Sequence, residues 1–263
     1  MGCPLRLSRT SSSVALLFVH ENREYLLHPG ETLETDLGIL EVPVDVDPGE
    51  TVETHLGTPF VAQKLRTPDL FHHLERTGAP MMPRDIGLLV GQMGIESGDC
   101  VLDAGTGTGI LAVTLGRLGV TVHTYEVNPD FAAVARENVE TAGVGERVTV
   151  HTGDITDNLD SALDHLDAVG DARGFDALTL DTADAPAVVA AVSDLLIPGG
   201  AVGVYSPFVE DAREVATTAR EAGLTGVQTM ETLQREMTFD ERGSRPDTAG
   251  VGHTGYLTTG RLR

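Results

Sequence analysis

The run Val101-Leu102-Asp103-Ala104-Gly105-Thr106-Gly107-Thr108-Gly109 constrains this chain more than any other stretch. Its apolar start predicts a buried strand. The alternating glycines predict a turn in which the backbone can approach a ligand that any Cβ would push away. Residues 110–118 read as the helix that opens over that ligand. A second strand, residues 122–126, should end at Glu126, about 20 residues beyond the first glycine, where nucleotide-binding folds place a ribose-binding acid. The dinucleotide fingerprint G-x-G-x-x-G does not fit, because Ile110 stands where its third glycine belongs.

Beyond residue 99 the chain alternates strand and helix. Candidate strands cover residues 100–104, 120–127, 148–151, 177–181 and 201–206, and candidate helices 110–118, 130–142, 158–168, 186–196 and 209–222. Right-handed βαβ crossovers then give a parallel sheet covered on both faces. Two last strands, 227–237 and 253–262, have no helix between them and predict an antiparallel hairpin at one edge. Ahead of this lie a helical lead-in, residues 66–98, broken at Gly78-Ala79-Pro80, and a stretch of short β-like runs within residues 1–65. Turns at His28-Pro29-Gly30, Asp47-Pro48-Gly49 and Leu56-Gly57-Thr58-Pro59 space those runs as in a small β-barrel or meander. So small a module is expected to lean on the larger domain or on a second subunit.

Four acids fall at the carboxyl ends of consecutive strands, where open α/β sheets bind ligands. Asp103 could meet an ammonium group directly or through water, Glu126 suits ribose hydroxyls, Asp154 an adenine amino group, and Asp181 faces the entry of a second reactant. Each acid has the competing reading of a helix cap or a solvated loop acid. Phe131 either stacks on adenine or is core.

Composition narrows the setting. The formal charge is -22 and Lys64 is the only lysine. A surface so acidic and so poor in lysine suits molar salt, where the Debye length shrinks to about 3 Å and self-repulsion is screened. The expected home is the cytosol of an extreme halophile. Net charge then says little about nucleic-acid binding, since it answers to the solvent. The apolar run at residues 14–19 is too short to be a signal peptide or a membrane span. Cys3 and Cys100 suggest no disulfide framework, and a cytoplasmic protein is expected. The nine histidines show no metal-ligand spacing, so no metal site is predicted.

The glycine turn with an acid two residues before its first glycine resembles S-adenosylmethionine-dependent methyltransferases of the Rossmann-like class I. With its flanks the chain resembles the tRNA (adenine-N1)-methyltransferase family, over nearly its whole length. The likeness rests on Phe18 to Leu27 with Gly30, Arg66-Thr67-Pro68-Asp69, Arg76-Thr77-Gly78, Met82-Pro83-Arg84-Asp85, Gly153-Asp154-Ile155, Tyr205-Ser206-Pro207-Phe208 and Gly252-His253-Thr254-Gly255-Tyr256-Leu257. It implies a seven-stranded, mostly parallel sheet with a terminal antiparallel hairpin, preceded by a small β-barrel-like domain. The cofactor would be S-adenosyl-L-methionine, held by Asp103, Gly105, Thr106, Gly107, Thr108, Gly109, Glu126, Phe131, Asp154 and Asp181, with Asp181 also catalytic. The substrate would be a T-loop adenosine of tRNA, at position 58 and in archaeal relatives also 57, and the assembly a homotetramer. Tyr205 and His253 are candidates to line the base pocket, and Arg84, Arg242 and Arg245 to touch phosphate. Their competing readings are core aromatic and solvated charge.

The chain departs from the family at Met82, where a tyrosine is usual, and at Arg84, where a lysine is usual. It departs again at Thr182-Ala183-Asp184-Ala185-Pro186, where the family's proline stands closer to the aspartate. A protein-repair (isoaspartyl) methyltransferase and a non-catalytic cofactor-binding subunit are the rival readings. The first needs neither the β module nor the closing strand, and the second has no need of the acids.

Overall fold

The computed structural model describes residues 14–166, 174–248, 250 and 252–263. The amino-terminal part comprises β1 (Leu16–His20), β2 (Arg23–Leu27), β3 (Thr32–Thr35), β4 (Gly38–Glu41), β5 (Thr51–Glu53) and β6 (Pro59–Lys64). Four of these form an antiparallel sheet in the order β2-β1-β6-β5, and β3 pairs with β4 as a separate hairpin. Phe18, Leu40, Phe60 and Ala62 make its own small core. Side chains alternate along β1, so Leu17 points the other way and joins Leu65 and Leu70 in the main core. The Arg117 guanidinium donates to the Leu65 carbonyl at 2.6 Å, tying the module's end to the larger unit.

The lead-in holds α1 (Thr67–His73) and α2 (Pro83–Met93). Each has a proline in its first turn, where no amide partner is lost. Gly94 ends α2 in the left-handed conformation.

The remainder runs β7 (Cys100–Ala104), α3 (Ile110–Leu118), β8 (Thr121–Glu126), α4 (Pro129–Thr141), β9 (Val148–Thr152), α5 (Leu159–Asp164), β10 (Phe175–Leu180), α6 (Ala185–Ala190), α7 (Val192–Leu195), β11 (Leu196–Ser206), α8 (Val209–Glu221), β12 (Thr225–Glu231), β13 (Met237–Asp240), β14 (Gly243–Pro246) and β15 (Tyr256–Arg261). Seven strands make one sheet in the order β12-β15-β11-β10-β7-β8-β9, parallel except for β15, which pairs antiparallel with both neighbours. Alternation along the buried strands feeds two cores. Val101, Val122 and Ala177 face α2, α3 and α4, while Leu102, Leu178 and Val202 face α5 to α8. This is a class I Rossmann-like methyltransferase fold.

Three expected elements differ. The helix expected over 186–196 breaks at Ala191, and Leu196 is already extended. Pro198 bars the helix from running further, because it drives the preceding Ile197 out of the helical region. The strand expected over 227–237 ends at Glu231, and the intervening loop carries the β13–β14 hairpin. Leu233 is 73% exposed, so that stretch has no buried face to hold it in the sheet. The helix expected to reach residue 168 closes at Asp164, and its final positions, 167 and 168, lie outside the described residues.

No helix among the described residues is long and apolar enough to cross a membrane. Histidines that are scattered in the sequence meet in the fold. His123, His151 and His165 stack with ring centroids 4.3 to 5.5 Å apart. Burial pushes His123 and His151 down to about 4, with the neighbouring rings adding to it.

Candidate active site

The chain leaves β7 for β8 and β9 on one side, then returns to place β10 on the other. The carboxyl ends of β7 and β10 therefore part, and such a switch point opens a crevice. A cleft of about 300 Å³ lies there.

Gly105, Gly107 and Thr108 form its floor, and Glu126, Phe131, Asp154 and Asp181 its walls. The glycines serve different purposes. Gly105 has φ +88, and a Cβ on it would lie 2.0 Å from the carbonyl oxygen of Asp181. Its bareness admits the chain leaving β10, whose Asp181 amide donates to Ala104 at 2.8 Å. At Gly107 nothing lies nearer than 3.9 Å, so the space there is open for a ligand. Gly109 packs on Ala135 and closes α3 against α4.

Glu126 is 7% exposed, and its two carboxylate oxygens accept the amides of Gly107 and Asn128 at 2.9 and 3.0 Å. Both bonds orient it toward the cleft, and its remaining lone pairs are the ones a diol would use. Asp154 caps the short turn Ile155–Asp157 through one oxygen, which accepts from the Thr156 amide and hydroxyl at 2.8 and 2.7 Å. The hydroxyl bond holds the Asp154 carboxyl below its ordinary range. The cap uses only one of its two oxygens, so cap and ligand roles are compatible. Phe131 is 36% exposed on the rim, which makes it cleft surface and not core.

Asp103 takes another place than a direct ligand contact. It is 3% exposed, and its oxygens accept from Thr124 and Thr179, each at 2.5 Å. Thr106 sits on Thr124 in the same buried network. Burial raises the Asp103 carboxyl above its ordinary range. Asp103 and Thr106 thus brace the floor from below: both are buried and neither lines the cleft, so Asp103 is placed for contact through water and not for direct contact.

Asp181 stands at the mouth, open to water but crowded by protein atoms. That crowding pushes its carboxyl up to about 7, and the charge of Asp103 beneath adds to the shift. Water in the open mouth works against the shift. Asp181 and Thr182 also line a second cavity of about 310 Å³, whose other walls include Tyr205, Pro207 and Phe208.

The weaker candidates separate. Tyr205 lines the second cavity, and burial pushes its hydroxyl up to about 12. Gly255 lies against its ring: a Cβ there would meet Tyr205 Cζ at 2.5 Å, which accounts for the glycine in the closing strand's motif. Arg84 does not reach outward for phosphate. Its side chain is 8% exposed, its Nε lies 3.7 Å from Asp85, and it donates to Thr254 at 3.2 Å. His253 is bound to Glu231 at 2.7 Å and to the Pro207 carbonyl at 3.1 Å, outside the lining of the second cavity. Arg242 and Arg245 are exposed on the β13–β14 hairpin, away from both linings.

Two further residues bear on the site, Thr77 from a motif to which the sequence assigns no site role and Asn138 from inside α4. The Thr77 hydroxyl is buried with no hydrogen-bond partner among the described residues, and lies 3.9 Å from where a Cβ on Gly107 would be. An orphaned hydroxyl over a bare glycine marks room for a polar ligand. Asn138 holds that segment in place: its amide nitrogen donates to Glu75 and Thr108 at 2.9 and 2.8 Å, and its oxygen accepts from the Glu75 amide at 3.2 Å. An asparagine inside an amphipathic helix gives no such signal, because its partners lie 63 and 30 positions away. Asn138→Ala should cost about 1–3 kcal/mol of stability through the buried groups it strands, and loosen cofactor binding. A thermal melt and a binding isotherm check both.

Residues 60–243 match the family model described as "tRNA methyltransferase complex GCD14 subunit". The chain belongs to that family. The tRNA (adenine(57)-N(1)/adenine(58)-N(1))-methyltransferase TrmI of Methanocaldococcus jannaschii is 31% identical, over 94% of each chain. The tRNA (adenine(58)-N(1))-methyltransferase TrmI of Thermus thermophilus is 27% identical over 70% of each. Among solved structures, a SAM-dependent O-methyltransferase of Thermotoga maritima superposes with TM-score 0.76 at 24% identity, covering 96% of this chain and 94% of that one. The tRNA (m1A58) methyltransferase TrmI of Aquifex aeolicus gives 0.69 at 20% identity, covering 96% and 98%.

Proposed function

We propose that this chain methylates N1 of a T-loop adenosine in tRNA, at position 58 and with the neighbouring position 57 as a second target, using S-adenosyl-L-methionine. One observation carries the reading: Asp181 is shared by the cofactor-sized cleft and the adjoining cavity, at the point where two reactants would meet. The residues present fit the cofactor. Glu126 would take the ribose hydroxyls, Asp154 the adenine amino group, Phe131 the adenine face, and Thr77 with the Gly107 backbone the polar remainder. When bound, the cofactor supplies a methyl group activated by its sulfonium charge.

The nucleophile needs no base, since adenine N1 carries a free lone pair. Positive charge spreads from N1 to the exocyclic amino group as the new bond forms. The Asp181 carboxylate, accepting a hydrogen bond from that amino group, stabilises this charge more than the neutral ground state. The target base is stacked in the tRNA and must be flipped out, at a cost of a few kcal/mol. The second cavity, with Tyr205 and Phe208 in its wall, offers apolar surface to receive it.

The resemblance further supports a division near residue 65 and a homotetramer. The 76%-exposed Phe239 and 49%-exposed Met237 of the β13–β14 hairpin are apolar surface that an assembly would cover. The charge of -22 supports a cytoplasm of molar salt. Thermal stability should accordingly rise as potassium chloride goes from about 0.01 M to about 1 M, over which the Debye length falls from about 30 to 3 Å; a melting temperature indifferent to salt would refute the halophilic reading.

The decisive test of function is incubation of labelled cofactor with unmodified tRNA and analysis of the nucleosides. 1-Methyladenosine at position 58 is the expected product. Label on a protein carboxyl instead would favour the repair-enzyme reading, and no label at all a non-catalytic subunit.

A further inference from the structure

Three histidines that methyl transfer does not use meet behind the cleft's adenine side. His123 lies on β8, His151 on β9, and His165 at the C-cap of α5. One ring nitrogen of each falls within 4.8 Å of the others. His123 Nδ1 and His151 Nε2 are 3.3 Å apart. That matches the separation of about 3.3 Å between two ligands in a tetrahedral site with bonds of 2.0–2.1 Å. The other nitrogen of His123, Nε2, is buried with no partner among the described residues.

The third ring is already oriented. Tyr125 Oη lies 3.0 Å from His165 Nε2, a bond that ligation through Nδ1 would keep. Fixing a ligand's second nitrogen in this way is the usual support of a histidine–metal bond. The three rings are partly buried, and the chain's charge of -22 draws cations.

We propose that His123, His151 and His165 bind one divalent transition ion of the zinc class, with solvent in the remaining position. The role is structural. The ion would pin α5 to the β8–β9 edge, directly behind Tyr125, which lines the cleft, and three residues before Asp154. Parallel stacked rings do not aim all their lone pairs at one point, so binding turns them about χ2, a broad torsion in histidine. Sequence spacing predicts no metal here because the three ligands come from separate elements.

The test is a cobalt(II) titration of the tag-free, chelator-treated full chain, read by visible absorption without cofactor. The expected result is saturation at one ion per chain, with the strong absorption of a four-coordinate site, and displacement by zinc. His165→Ala and His151→Gln each remove that spectrum, and a His72→Ala/His73→Ala chain keeps it. Tyr125→Phe weakens zinc binding by roughly 10- to 100-fold. Circular dichroism and S-adenosylhomocysteine binding establish that each variant is folded. The wild-type titration stands independently of the variants. A wild-type spectrum of merely hydrated cobalt, or a strong spectrum that survives in a folded histidine variant, overturns the proposal.

Discussion

Asp181→Ala should lower turnover by about 100- to 1000-fold, the range seen when one preorganised charge-stabilising group is removed, while cofactor affinity stays within a few-fold. The asymmetry follows from position. Asp181 lines both cavities, whereas Glu126 and Asp154 line only the first. Single-turnover rates at saturating cofactor measure the first effect and a binding isotherm the second. Near-normal turnover would remove Asp181 from the mechanism.

The same residue sets a pH dependence. Its carboxyl is pushed up to about 7 by burial and by Asp103. The charged form is the one that accepts the amino hydrogen bond, so rate rises with pH as the proton leaves. A cation held beside the carboxyl lowers that value, which places the limb between about 7 and the ordinary carboxylate range. Asp181→Asn should be slow and flat across this window. A limb that persists in the variant assigns the titration to another group.

Gly105→Ala and Gly107→Ala should fail in different ways. At Gly105 the new methyl meets the Asp181 carbonyl at 2.0 Å on a backbone of φ +88. The β7 and β10 ends must separate, so both stability and chemistry suffer. Misplacing a reacting group by about 1 Å can cost roughly 100-fold in rate, and the strained backbone adds about 1–2 kcal/mol. At Gly107 no protein atom lies within 3.8 Å and φ is +51, which a non-glycine residue can adopt at moderate cost. Gly107→Ala should therefore melt near the wild type yet bind cofactor weakly, since its methyl occupies ligand space. Melting curves and isotherms for both variants test the distinction; equal melting temperatures would contradict it.

The strand–glycine–helix run, the acid about 20 residues on and the alternation after residue 99 were legible because periodicity and turn chemistry are local properties. They were enough for the fold class and for Glu126, Asp154 and Asp181 in the cleft wall. The closing motif from His253 to Leu257 was legible as a pattern, but its reason was not: Gly255 is bare to seat the ring of Tyr205.

Which distant groups meet is settled by packing. Asp103 looked like a ligand acid, but the register of β7 with β8 and β10 sets Thr124 and Thr179 against its two oxygens. Arg84 looked like a phosphate contact, but Asp85 and Thr254 hold it inside. Asn138 and the three histidines carry no spacing signal, and Thr77 belongs to a motif that does not tell its place in the cleft. Local sequence sets where a strand ends and where a backbone can bend. Which groups crowd a side chain depends on packing between elements far apart in the chain, and that crowding makes Asp181 a poised carboxylate and Asp103 a buried brace.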